Sequence, residues 1–70
     1  MPFVSIKYVE ENLADDRVGK MHRIAERVSQ AVADEMGVGV DSVWIGFEAI
    51  PADAFHVGAD SVADIRARKK

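Results

Sequence analysis

Hydrophobic and polar residues change their rhythm twice along this chain. From Phe3 to Val9 (FVSIKYV) they alternate, with Val4, Ile6 and Tyr8 on one side and Phe3, Ser5, Lys7 and Val9 on the other. Period-two alternation rich in β-branched and aromatic residues predicts a strand. Glu10 to Ala14 breaks the pattern and reads as a loop. The spacing then shifts to three and four. Val18, Met21, Ala25, Val28, Val32 and Met36 recur in that rhythm, and Ile24 and Ala31 widen the stripe. That is one apolar face of a helix. Asp15 and Asp16 predict its start, by capping and by their charge beside the positive helix end. Gly37 predicts its end, at a left-handed position. After a turn over Val38 to Asp41, alternation returns from Ser42 to Ile50. Val43, Ile45, Phe47 and Ala49 face one way, and Trp44, Gly46, Glu48 and Ile50 the other. Pro51 ends this second strand, because proline cannot donate to a sheet ladder.

Strand, long helix and strand form a crossover unit, so the two strands are expected to be parallel and the connection right-handed. The predicted class is α+β, one domain over residues 1–70. Ala54 to Asp60 adds a small hairpin or edge segment that could reach onto a neighbouring chain. Two strands and one helix leave a sheet edge and a sheet face uncovered.

Composition sharpens that picture. Seventy residues with 49% hydrophobic content and no cysteine exclude disulfides and thiolate metal sites. His22 and His56 lack ligand spacing, so no metal is expected. A chain this short usually needs a staple or a partner, and oligomerisation is what remains. The net charge of −3 argues against a nucleic-acid partner. The basic tail Arg66, Arg68, Lys69 and Lys70 reads as a solvated terminus. No apolar run approaches the roughly 20 residues of a membrane span, and charges interrupt the N-terminus too early for a signal peptide. A cytoplasmic protein without a membrane partner is expected.

The candidate chemistry lies at Met1-Pro2. Methionine before a small residue is normally trimmed, which would leave Pro2 with a free secondary amine. An unperturbed α-amine titrates at about 7.7–8.0. Apolar burial or a nearby cation lowers that value, and a neutral amine near the operating pH is a competent general base. No cofactor is required.

Pro2 opening a strand, the long amphipathic helix, SVWIGFEAIP and AFHVGADSVADIR together resemble the 4-oxalocrotonate tautomerase family, over essentially the whole chain. The resemblance implies β-α-β subunits paired into four-stranded sheets, commonly a hexamer built as a trimer of dimers. It implies an isomerase in which Pro2, after loss of Met1, moves a proton within a small 2-oxo acid or enol. Arg17 takes the place of a carboxylate-binding arginine before the helix. Trp44 stands where the family has a second arginine, which argues against a diacid substrate because indole offers no bidentate clamp. Phe55 matches an aromatic wall of the site. The same scaffold also supports hydration, dehalogenation or decarboxylation of unsaturated acids, with Glu48 or Glu10 activating water. A non-catalytic binding oligomer is the remaining alternative, favoured if Met1 is retained. Lys7 and His56 are lesser candidates beside the site.

Overall fold

The computed structural model describes residues 1–68. Strand β1 spans Phe3–Val9, helix α1 Arg17–Met36 and strand β2 Trp44–Ile50. A short hairpin follows, β3 at His56–Val57 and β4 at Asp60–Ser61, and helix α2 at Val62–Arg68 closes the described chain. β1 and β2 pair in parallel, from Phe3 opposite Trp44 to Val9 opposite Ile50. The crossover expected from the period change is therefore present.

The pleat sorts side chains as alternation requires. Val4, Ile6, Tyr8, Ile45 and Phe47 are half-buried, whereas Phe3, Ser5, Lys7, Trp44, Gly46 and Glu48 are exposed. Tyr8 and Phe47 meet edge-on across the two strands, ring centroids 6.5 Å apart. Two positions leave the pattern. Val9 is buried rather than outward-facing, at the point where a 3₁₀ turn (Glu10–Leu13) redirects the chain and buries Leu13 as well. Ala49 is exposed.

The helix packs through a shorter stripe than the spacing predicts. Val18, Ala31 and Met36 are exposed, while Ala33 is buried and Met21, Ile24, Ala25, Val28 and Val32 are half-buried. Its start falls where Asp15 and Asp16 predict, but without the expected capping bond. Asp16 occupies the cap position in a left-handed conformation (φ 58°) and makes no side-chain cap. Its carboxylate instead accepts from Arg23 at 3.3 Å. Gly19 makes room for that carboxylate, since a Cβ there would collide with it. The end is as expected: Gly37 turns left-handed (φ 68°), and its N–H and that of Val38 both donate to the Ala33 carbonyl, at 2.9 and 3.1 Å. Such bonds satisfy a carbonyl the helix would otherwise leave open.

The C-terminal segment contains the expected hairpin, turned at Gly58 with φ 65°, as two-residue hairpins with glycine first require. It also contains a helix that alternation did not foretell. Ser61 is buried, and its Oγ accepts from the Asp64 N–H at 3.1 Å, capping α2. Arg66 then donates to Asn12 at 2.7 Å and to Glu11 at 3.2 Å, and Arg68 pairs with Asp60 at 3.3 Å. These two cations are engaged rather than simply solvated, and Lys69 and Lys70 lie outside the described residues.

Little of this chain is enclosed. Among the described residues the buried apolar set is Val9, Leu13, Ala33 and Ala52, and no large side chain is fully buried. The radius of gyration is 15.0 Å, against about 11 Å for a compact domain of this length. No helix among the described residues is long and apolar enough to cross a membrane.

Candidate active site

Pro2 sits one step before β1 and is half-buried. The Trp44 N–H donates to its carbonyl oxygen at 3.0 Å. That bond extends the strand ladder by one residue and fixes Pro2 at the open end of the sheet. Met1 is 76% exposed, so its removal would disturb no packing of consequence. Beside Pro2, the rings of Phe3 and Trp44 meet edge-on, centroids 5.4 Å apart at 64°. Both face away from the helix, 73% and 52% exposed. Phe3, the residue after Pro2, thus forms with Trp44 an aromatic pair on the uncovered sheet face.

Arg17 and Phe55 belong to the other end of the molecule. Parallel strands place the first residues of β1 and β2 together, and the connecting helix must run back between the two strands. Its first residue, Arg17, therefore lies near the far end of β1. At about 3.3 Å per residue, a seven-residue strand spans roughly 20 Å. Phe55 follows the exit of β2 and a 3₁₀ turn at Ala52–Ala54, with its carbonyl accepting from the Val62 N–H at 2.7 Å. The segment it belongs to is tied through Arg66 to Glu11 and Asn12, just beyond β1. One protomer joins Pro2 and Trp44 by a backbone bond and leaves Arg17 and Phe55 toward the opposite end of the strands.

The lesser candidates are dispersed. Lys7 lies opposite Glu48 on the exposed sheet face. Glu10 opens the 3₁₀ turn after β1, and His56 is exposed on β3. No three His, Asp or Glu side chains among the described residues gather as a metal site would require. Phe3 is the neighbour of Pro2 that alternation alone does not single out. Its outward orientation was legible, but its pairing with Trp44 depends on the strand register.

Neither a protein-family model nor a curated relative matches the sequence. Among solved structures the chain is similar to DmpI from Helicobacter pylori, at a TM-score of 0.83 and 23% identity, over 94% of this chain and 97% of that one. The likeness shows a shared fold. That fold agrees with the β-α-β architecture implied by the resemblance to the 4-oxalocrotonate tautomerases.

Proposed function

We propose that this chain is a cofactor-independent tautomerase of the 4-oxalocrotonate tautomerase family, with Pro2 as general base after removal of Met1. The observation that carries the reading is the Trp44-to-Pro2 hydrogen bond of 3.0 Å, which anchors the proline at the head of β1 in this fold. A free secondary amine there takes a proton from the carbon beside a carbonyl. The electron pair moves into the carbonyl oxygen to give a dienolate, and the same proton returns at another carbon of the conjugated system. Net composition is unchanged, so no oxidant, reductant or metal is consumed.

A positive charge or hydrogen-bond donor must meet the developing oxyanion. Arg17 fills that role in this reading, and Phe55 supplies an apolar wall. Because they lie at the far end of the protomer, in this reading they come from another copy whose far end meets Pro2. The uncovered sheet face, with Phe3 and Trp44 exposed, supports assembly into a homo-oligomer, a trimer of dimers. Trp44 favours a 2-oxo monoacid with an apolar or aromatic group over a diacid, because it adds surface and one N–H donor but no second cation.

The test is an arylpyruvate-enol ketonisation assay on protein whose intact mass shows Met1 removed, run beside Pro2→Ala. Activity lost in the variant supports the base. Equal rates in the two proteins discard it.

A further inference from the structure

The charges on α1 are not distributed as the net charge of −3 suggests. Four of the nine cations in the sequence, Arg17, Lys20, Arg23 and Arg27, fall within eleven residues of this helix. They are not contiguous, so they form no basic run. At about 100° per residue they nonetheless share one helix face. Three of them, Lys20, Arg23 and Arg27, line a cleft of about 210 Å³ together with Leu13 and Ile24. Leu13 is buried, and Lys20 and Ile24 are half-buried.

The pairing of these cations is incomplete. Arg23 is held by Asp16 at 3.3 Å. Among the described residues, neither Lys20 nor Arg27 forms an ion pair. Lys20 is half-buried and Arg27 is exposed, so both unpaired cations are open to an anion that enters the cleft. Leu13 and Ile24 give the cleft an apolar patch that a bare inorganic anion would leave in contact with water. The two features together select one ligand chemistry, an anionic head joined to a short hydrocarbon.

We infer that the cleft between α1 and the 3₁₀ turn at Leu13 binds a small monocarboxylic acid. The carboxylate lies between Lys20 and Arg27, and the hydrocarbon rests on Leu13 and Ile24. The volume falls below the roughly 300–1,000 Å³ of drug-sized ligand sites, which limits the occupant to a short chain or a single ring. Leu13 follows the far end of β1 and Pro2 precedes its near end, so this site is separate from Pro2 in the protomer. It does not depend on the catalytic reading.

The probe is hexanoate, titrated into the full chain with methyl chemical shifts of Leu13 and Ile24 as readout. Acetate, hexanol and inorganic phosphate serve as comparisons. Saturable shifts of both methyls with hexanoate are expected, with little response to acetate, hexanol or phosphate. The Lys20→Gln/Arg27→Gln double variant should weaken hexanoate binding about tenfold or more, as loss of a charge-assisted hydrogen bond does. Binding should persist in Pro2→Ala. Three results overturn the inference: no saturable shift in the unaltered protein, equal binding of phosphate or acetate, or undiminished affinity in a folded double variant.

Discussion

The main-chain N–H of Trp44 donates to the carbonyl of Pro2 at 3.0 Å, so the residue that leads β1 is held by the residue that opens β2. The same register sets the Trp44 ring edge-on to Phe3. One register therefore sets both the position of the proposed base and the aromatic pair at the head of the two strands. In the proposed site, a change at Trp44 would alter the substrate pocket while keeping the backbone bond.

Trp44→Arg is expected to move substrate preference toward dicarboxylates. A guanidinium offers the bidentate fork that indole lacks. The ratio of kcat/KM for a diacid enol to that for an arylpyruvate enol should rise about tenfold or more, the effect of one charge-assisted contact. An unchanged ratio would remove Trp44 from the substrate pocket.

The proposed oligomer has a thermodynamic signature. When folding is linked to association, Tm rises with protein concentration. Thermal melts over a hundredfold concentration range should show that rise, and Trp44→Ala should shift the dependence to higher concentration by removing exposed aromatic surface. A Tm independent of concentration, together with a monomer mass by light scattering, would show that the open sheet face stays uncovered.

Rate should depend on pH with a definite sign. A general base works in its neutral form, so kcat/KM should fall as pH drops through the ionisation of Pro2, a free α-amine ordinarily near 7.7–8.0. Protein that keeps Met1 has an amide at Pro2 and no such amine. It should lack both the activity and the pH limb, as measured on the two forms separated by mass.

Ser61→Ala tests the C-terminal helix. Loss of the Ser61 cap on the Asp64 N–H should cost about 1 kcal/mol in urea unfolding. Arg66→Ala should cost less than about 1 kcal/mol, because its partners Glu11 and Asn12 are solvent-exposed. A larger loss at Arg66 than at Ser61 would reverse that order of importance.

β1, α1 and β2 were legible because each carries enough residues for its period to show. The bounds of β1 agree from Phe3 to Val9, and Gly37 marks the end of α1. The start of α1 falls at Asp16 as its acidic residues predict, but the carboxylate turns to Arg23 rather than to the helix N–H groups. Gly19, which lowers helix propensity, was the local sign of that arrangement. Helix α2 was missed because seven residues hold too few turns to show a stripe. Its signal lay in Ser61-Val62-Ala63-Asp64, a serine three residues before an acid at a helix start. In the proposed site, Pro2 is chosen for its chemistry and Trp44 for its place in the strand, and the register that joins them is consistent with the alternation. The separation of Arg17 from Pro2 was not legible, since it follows from the direction of the helix rather than from residue types. The basic cleft was hidden for a related reason: Lys20, Arg23 and Arg27 meet in space while remaining apart in the chain.

The most direct measurement is the ketonisation rate of an arylpyruvate enol by mass-verified protein beginning at Pro2, compared with Pro2→Ala at matched oligomeric state. General-base catalysis of this kind typically contributes about 10²–10⁴-fold, and the variant should lose a factor in that range while keeping its fold by circular dichroism. A variant as fast as the parent would contradict the assignment of Pro2 as the base.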